Sequence, residues 1–462
     1  MFDANVYRSR RESLARKMGS GLALMLGNND VPINFAHNVY RYQQDATFLY
    51  FFGVSRPGLA VLADFDSNEF VAFGDERTNE ESLWLGETES LRNEFVRVGV
   101  ERIEPFANLR DAVAHAAAAG RTIHFLPPYR ADTVSHLAHL LDCKNVEVMQ
   151  RASRSLVDAV LSLREIKGPE EIDQIEQALV LTAQMHRVAM HTARPGVRER
   201  EVVAEMRRVL DQNGVPEAYA PIFTRRGDIL HNGRHDSRLE KGDLVVNDYG
   251  AASPAGYASD ITRTIPVGGR FEGLQRDLYQ LLVEVQKAGV AEMRPGVPFL
   301  HAHTTAAIRM VDGMKGLGFF SGDSDDIVST GAYALCFPHG LGHQMGLDVH
   351  DMESFGEDLV GYDEEFRRSK IFGLASLRLA KRLKKGMVTT VEPGIYFIPN
   401  LIRSWSAERR HASFINYEAF AACTRMGGMR VEDNVVVTED GAMALGPAIP
   451  KSVSEIESLM EA

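Results

Sequence analysis

The sequence predicts an α+β protein in which an N-terminal domain precedes a larger domain made of two similar halves. Early in the chain, short β-type runs alternate with helical segments. Later, a strand-like run that begins with Lys-Gly and has an acid at its eighth position occurs twice, at residues 241–250 and 385–394. A helix-ending turn of sequence Arg-Pro-Gly-Val also occurs twice, at residues 194–197 and 294–297.

Composition places the chain among ordinary globular proteins. Its 462 residues are 45% hydrophobic and 25% charged, and this length allows two or three domains, each with its own core. The formal charge of −12 is spread along the chain without a basic stripe, which argues against nucleic acid as a partner. The longest aliphatic runs are far below membrane-spanning length, so we expect a cytoplasmic protein with no membrane partner.

The N-terminal domain is assigned to residues 1–160 from its pattern of strands and helices. An Ala-rich stretch at 111–119 predicts a helix. A long amphipathic stretch at 155–191 is broken at 167–169, where Pro169 suits the first turn of a new helix, so the boundary is placed near this break. Six strand-like runs are expected in this domain, at residues 22–26, 47–52, 59–63, 70–73, 122–126 and 146–149.

The second domain, residues 161–462, is expected to be an internal duplication. Each half consists of a helix, the Arg-Pro-Gly-Val turn, a second helix and a strand that carries an acid, with helices at 199–212, 274–293 and 299–314. Two such halves related by a pseudo-two-fold axis would bury a twisted sheet under helices and bring the acids to their shared centre. The turn alone could recur by chance, but its recurrence together with the strand and the acid favours duplication.

Each half of the duplication supplies two acids. Asp248 and Glu392 occupy the same position in the two repeated strands, and Asp260 and Glu432 lie in β-type runs downstream of them. Four carboxylates on paired strands would repel one another unless something positive lay between them. A metal ion is the expected counter-charge.

A segment between the two acid pairs is rich in glycine and histidine. Residues 337–351 contain His339, His343 and His350 interleaved with glycines, which indicates backbone packed closely around a site. The zincin motif would need glutamate directly after its first histidine, where this chain has Gly340. A nucleotide-binding loop would need a preceding strand, a P-loop lysine and a later acid, and this segment lacks them.

One imidazole and four carboxylates form a set of ligands dominated by oxygen. Such a set favours a hard or borderline ion such as Mn²⁺ over Zn²⁺. Two divalent ions about 3.5–4 Å apart that share bridging carboxylates would balance the four negative charges. The sequence therefore predicts a centre of two divalent metal ions, with Mn²⁺ as the expected metal.

Five short motifs follow one another in the second domain, at residues 248–250, 259–264, 339–351, 391–394 and 430–433. In this order they resemble the signature of the pita-bread metallopeptidases, and most closely the proline-specific branch, aminopeptidase P and prolidase. Segments 41–45 and 48–53 also resemble the N-terminal domain of that branch. The resemblance implies a creatinase-type α/β domain followed by a pita-bread domain with an internal pseudo-two-fold duplication.

The resemblance also implies a role for each candidate residue of the centre. Asp260 and Glu432 would bridge the two ions, with a water or hydroxide between the ions as the nucleophile. Glu392 would in addition carry a proton to the leaving proline nitrogen. The remaining roles are Asp248 at one metal site, His343 with Glu392 at the other, Arg430 as support for a carboxylate, and His231, His339 and His350 as catalytic histidines that face the substrate.

The predicted function is an Xaa-Pro aminopeptidase, which cleaves after the first residue of a peptide whose second residue is proline. Prolidase, which cleaves Xaa-Pro dipeptides, is the alternative, because Arg378 lies where prolidases have an arginine that anchors the free carboxylate of the dipeptide. Arg378 could equally be one exposed cation of a basic helix. A metal-free binding protein of the same fold is a remote alternative, since this chain keeps all five ligands. The resemblance also implies a homodimer or homotetramer.

Overall fold

The computed structural model describes residues 2–461, which form two compact units. The first unit contains the residues up to Glu165 together with Met352–Gly356. The second unit contains Ile166–Asp351 and the residues from Glu357 onwards. The predicted domain boundary near residue 160 stays a prediction. None of the helices within residues 2–461 is long and apolar enough to cross a lipid bilayer.

The first unit combines helices with a mixed sheet. Five strands form this sheet in the order β6-β5-β4-β1-β7, and the remaining two strands, β2 and β3, pair with each other. The strands are β1 (Leu22–Leu26), β2 (Pro32–Phe35), β3 (Asn38–Val39), β4 (Ala60–Asp64), β5 (Glu69–Phe73), β6 (Arg102–Glu104) and β7 (Ile123–His124). The helices are α1 (Ala4–Met18), α2 (Ala46–Phe52), α3 (Asn79–Leu85), α4 (Leu91–Arg97), α5 (Leu109–Ala118), α6 (Ala131–Leu140), α7 (Asn145–Arg151) and α8 (Arg154–Arg164).

Two predicted strands of the first unit are helices instead. The aromatic run at 47–52 lies in α2, because the side chain of Asp45 caps the helix by accepting from the Phe48 N–H at 2.9 Å and Gly53 ends it with a positive φ of 63°. The run at 146–149 lies in α7, where Val148 is buried whereas Val146 and Met149 are exposed. The predicted strands β1, β4 and β5 and helix α5 are confirmed to within two residues, whereas 122–126 contributes only the short β7.

The second unit is built from long helices and short, buried strands. The helices are α9 (Pro169–Thr192), α10 (Glu199–Asn213), α11 (Leu274–Ala291), α12 (Phe299–Gly316), α13 (Ser324–Ser329), α14 (Glu357–Gly361), α15 (Pro399–Ala407), α16 (Tyr417–Ala422) and α17 (Val453–Glu461). The strands are β8 (Ile222–Thr224), β9 (Leu244–Asp248), β10 (Thr262–Pro266), β11 (Val388–Val391), β12 (Gly394–Tyr396), β13 (Gly428–Arg430), β14 (Asp433–Val437) and β15 (Ala442–Ala444).

The order of elements in the second unit repeats as the sequence predicts. Helices α9 and α10 precede β9 and β10, and helices α11 and α12 precede β11 and β14. Strand β9 pairs antiparallel with β10, and β11 pairs antiparallel with β14. Each pair belongs to a three-stranded sheet, in the orders β10-β9-β8 and β11-β14-β15. One apolar core includes residues of both halves, so the four strands are fixed relative to one another by packing.

Candidate metal centre

The first two acids lie at the facing ends of β9 and β10. Asp248 is the last residue of β9 and stands opposite Thr262 in the register, while Asp260 precedes β10 by two residues. Both carboxylates are almost fully buried. The hydroxyl of Tyr219 lies 2.7 Å from Asp248 Oδ1 and 2.5 Å from Asp260 Oδ1, so a single side chain links the two acids. Strand pairing and this link therefore set the spacing between the two carboxylates.

The second half repeats this arrangement with glutamates. Glu392 directly follows β11 and Glu432 directly precedes β14, so the antiparallel pairing of these strands brings the two residues to the same edge. The Thr262 hydroxyl, from the first half, donates to Glu432 Oε2 at 2.6 Å. The two halves are thus joined at the centre by a hydrogen bond to a predicted ligand.

His343 completes the cluster from the glycine-rich segment. Donor atoms of Asp260, His343 and Glu432 all lie within 4.8 Å of one another. His343 Nε2 is 3.4 Å from Asp260 Oδ2 and 3.7 Å from Glu392 Oε1. Asp248 is connected to the same group through Tyr219. The structure therefore brings together the five residues that the sequence singles out as ligands.

The ring of His343 is oriented for metal ligation. Its Nδ1 lies 3.0 Å from the carbonyl oxygen of Gln344, which can only accept, so Nδ1 carries a proton and Nε2 faces the carboxylates. Burial alone would lower the pKa of His343, but the hydrogen bond to Asp260 and the charge of Glu392 raise it to about 9. Without another cation this imidazole is protonated, and metal binding would displace that proton.

The acids of the centre oppose one another's ionisation. Burial raises the pKa of Glu392 to about 7, and it raises the pKa of Glu432 far above the usual range, with the charges of neighbouring carboxylates adding to the effect. Burial also raises the pKa of Asp248. For Asp260, burial is the largest single influence, but the hydrogen bonds from His343 and Tyr219 and the charge of His343 together hold the pKa below its usual value. Buried acids that cannot all be charged together call for a cation among them.

Arg430 supports these acids from one side. Its guanidinium contacts Asp248 Oδ2, and it donates from Nη1 to the Tyr396 hydroxyl at 3.0 Å and from Nε to the Thr262 hydroxyl oxygen at 3.1 Å. Because Thr262 in turn donates to Glu432, Arg430 acts on one predicted ligand directly and on another through a hydroxyl. The role of Arg430 as a support for a metal-binding carboxylate stays a prediction.

His339 lies next to this network. Its Nδ1 is 2.8 Å from the carbonyl oxygen of Gly340 and donates to it, while its Nε2 is 2.9 Å from the Tyr396 hydroxyl and accepts from it. Burial lowers the pKa of His339 to about 3, so the imidazole is neutral at physiological pH. The same Nδ1 lies 4.0 Å from Glu392 Oε2, which places a neutral imidazole beside the candidate proton carrier.

The other predicted substrate residues occupy different surroundings. The ring of His350 stacks on that of His343, with 3.8 Å between centroids and 14° between planes. His231 lies in the exposed segment between β8 and β9 and is close enough for its charge to lower the pKa of His339. Arg378 donates from Nη1 to Glu357 Oε1 at 2.7 Å, and its side chain is 33% exposed. The segment around Arg378 contains only a short 3₁₀ turn, so the basic helix considered from the sequence is absent there.

Two tyrosines of the centre were not predicted from the sequence. Tyr219 lies in the irregular segment before β8, and Tyr396 ends β12, so neither occupies a repeated motif position. Each joins the centre only because the fold brings its hydroxyl to an acid or an arginine far away in the chain. Thr262 lies two residues after Asp260, on the same face of the strand, and its hydroxyl donates to Glu432.

Two protein-family models match this chain. Residues 173–439 match the model of metallopeptidase family M24, and residues 7–124 match that of the aminopeptidase P N-terminal domain. The chain belongs to metallopeptidase family M24. Membership of M24 implies divalent metal ions, and the donors described above fit them, because they are buried, rich in oxygen and mutually repulsive.

Individual M24 relatives are similar along nearly the whole chain. The Xaa-Pro aminopeptidase of Escherichia coli K12 is 29% identical over 99% of this chain and 97% of its own length. A human Xaa-Pro dipeptidase is 28% identical over 91% of this chain and 84% of its own length. The structure of the Pseudomonas aeruginosa aminopeptidase PepP superposes with a TM-score of 0.82 at 27% identity, covering 100% of this chain and 98% of that one. That structure therefore shares both the N-terminal and the M24 parts of the fold.

Proposed function

We propose that this protein is an Xaa-Pro aminopeptidase, a metal-dependent hydrolase that removes the first residue of a peptide whose second residue is proline. The observation that carries the proposal is the cluster of one imidazole and four carboxylates, drawn from both halves of a chain of family M24. Asp260, His343 and Glu432 form its centre, Glu392 lies 3.7 Å from His343, and Asp248 is linked through Tyr219. The full-length similarity to an Xaa-Pro aminopeptidase supports the choice of substrate. Xaa-Pro dipeptides are the alternative substrate, because the chain is also similar to an Xaa-Pro dipeptidase.

Two divalent ions, with Mn²⁺ as the proposed metal, would be held by Asp248, Asp260, His343, Glu392 and Glu432. When bound, such ions supply Lewis-acid activation of water and of the scissile carbonyl. The chain itself supplies proton transfer and orientation. Glu392 is the proposed proton carrier, and its carboxylate lies beside two imidazoles, 3.7 Å from His343 Nε2 and 4.0 Å from His339 Nδ1. His231, His339 and His350 are the proposed hydrogen-bonding groups around the scissile bond, and a homodimer or homotetramer is part of the same proposal.

Removal of metal is expected to abolish hydrolysis, because a neutral-pH nucleophile in this centre depends on bound cations. We expect exhaustive chelation to reduce the release of the first residue from an Xaa-Pro-Yaa tripeptide to background, and Mn²⁺ to restore it better than Zn²⁺ or Mg²⁺. Metal content is measured by elemental analysis on the same samples. Full activity in a sample with no detectable metal would contradict the proposal.

The choice between aminopeptidase and prolidase depends on the substrate carboxylate. An aminopeptidase is expected to cleave Xaa-Pro-Yaa with a kcat/KM comparable to or above that for Xaa-Pro. Arg378 already donates to Glu357 and its side chain is partly exposed, so Arg378→Ala should leave tripeptide cleavage intact. Arg382→Ala, which removes another ion-paired arginine of the same segment, is the matched control. Cleavage confined to dipeptides and lost only in Arg378→Ala would identify a prolidase.

A further inference from the structure

A buried ion pair lies beside the segment that presents His350. Lys167 Nζ is 2.8 Å from Asp351 Oδ2, and the two side chains are only 1% and 2% exposed. Removing both charges from water is costly, so a pair of this kind persists where its geometry is well satisfied. Asp351 directly follows His350 in the chain, which places the pair next to a residue of the proposed site.

Asp351 closes the loop that carries His350. Its backbone N–H donates to the carbonyl of Gln344 at 3.0 Å, and its Oδ1 accepts from the Asp348 N–H at 3.3 Å. Within the loop, the Gly346 N–H donates to the Asp348 carbonyl at 3.1 Å. Residues 344–351 therefore form a closed loop with the Asp351 carboxylate at its base.

The pair also fills the space beside this loop. A Cβ on Gly346 would lie 2.5 Å from Asp351 Oδ2 and 3.0 Å from Lys167 Cε. The loop backbone thus approaches the ion pair as closely as glycine permits. A shift of either charged side chain would therefore change the packing against the loop backbone at Gly346.

Lys167 is itself attached to the strand that leads to Glu392. Its backbone N–H donates to the carbonyl of Gly386 at 2.9 Å, two residues before β11 begins. On the other side, the N–H groups of Met345 and Thr390 connect the glycine-rich segment to β11, through the carbonyls of Val388 and His343. The ion pair therefore joins the far end of the His350 loop to the element that ends at a predicted metal ligand.

We propose that Lys167 and Asp351 are positioning residues that hold the His350 ring against the metal centre. The stacking of His350 on His343, at 3.8 Å between centroids, is the contact they maintain. The pair touches neither substrate nor ions in this proposal and acts only through the loop. The proposal rests on the function given above, since His350 matters for hydrolysis only if this centre is the active site.

The test compares Lys167→Met with wild type and with Arg276→Met, which removes an ion pair between α11 and α17 in the same unit. We expect Lys167→Met to lower kcat/KM for an Xaa-Pro-Yaa tripeptide by about tenfold or more, the usual effect of removing a group that orients a site residue, while its metal content stays at the wild-type level. Hydrogen exchange at residues 344–351 should become faster in Lys167→Met and stay unchanged in Arg276→Met. The exchange measurement needs no activity, so it separates this proposal from the proposed function.

A double-mutant cycle with His350→Ala shows whether the pair acts through His350. In the His350→Ala background, Lys167→Met should cause no further loss of kcat/KM, because the group it positions is already gone. Equal losses in the two backgrounds would overturn the proposal, and so would Lys167→Met with unchanged kcat/KM and unchanged exchange.

A single variant that leaves Asp351 buried without its partner can fail to fold. In that case Lys167→Met combined with Asp351→Asn, which removes both charges, takes its place in every comparison. If this double variant cannot fold either, the pair supports the whole domain rather than the loop, and the proposal is wrong.

Discussion

Asp260→Asn is expected to lose bound metal altogether. Asp260 lies within 4.8 Å of two other donors and 3.4 Å from His343 Nε2, and it is the proposed bridge between the ions. An amide offers one neutral oxygen and an NH₂ group that cannot ligate, so it removes both a bridge and a charge. Glu432→Gln should have the same result. Elemental analysis of the purified variants, after equilibration with Mn²⁺ and gel filtration, gives the number of ions per subunit.

The matched control for these variants is Asp243→Asn. Asp243 directly precedes β9, so it stands at the opposite end of the strand from Asp248, and it pairs with Arg225 at 3.0 Å. This control should keep the metal content of the wild type. Two ions per subunit in Asp260→Asn or in Glu432→Gln would show that the substituted residue is not a bridging ligand.

Glu392→Gln is expected to lower kcat by at least about a hundredfold, the range associated with loss of general acid–base catalysis. The reason is that a carboxylate at this position can accept a proton and release it to the leaving nitrogen, whereas an amide cannot. Glu392 is also a proposed ligand, so the assay is carried out in saturating Mn²⁺ to separate proton transfer from occupancy. Glu365→Gln, which changes an exposed ion-paired glutamate, serves as the control. A kcat close to the wild-type value in Glu392→Gln would contradict the proposed role of Glu392 in proton transfer.

The arrangement of the centre could be predicted because the acid-bearing strand occurs twice in the sequence. The repeated strands placed Asp248 and Glu392 at equivalent positions, and antiparallel pairing then brought Asp260 and Glu432 to the same edge. Strand ends are fixed by local patterning and turn residues, so a sequence can reveal which acids will lie at an edge. The glycines around His343 gave the remaining ligand by indicating close backbone packing.

Contacts between distant segments were not predictable in the same way. The bonds from Tyr219 to the acids of β9 and β10, and from Arg430 to Tyr396, depend on the packing of the whole domain. Local sequence patterning also predicted the wrong secondary structure where tertiary packing and helix caps decide it. The aromatic run of α2 has high strand propensity, yet its cap at Asp45 and its buried ring face make it a helix.

The division of the centre between two halves has a consequence for how the protein matures. The Thr262–Glu432 hydrogen bond and the Arg430–Asp248 contact join residues 170 and 182 positions apart. Such contacts can form only once the second half of the domain has been synthesised and packs against the first. A nascent chain that has emerged only as far as β10 would carry two of the five donors, too few to enclose an ion. Metal binding therefore requires both halves to be folded and packed together, and a variant in which they fail to meet is expected to purify without bound metal.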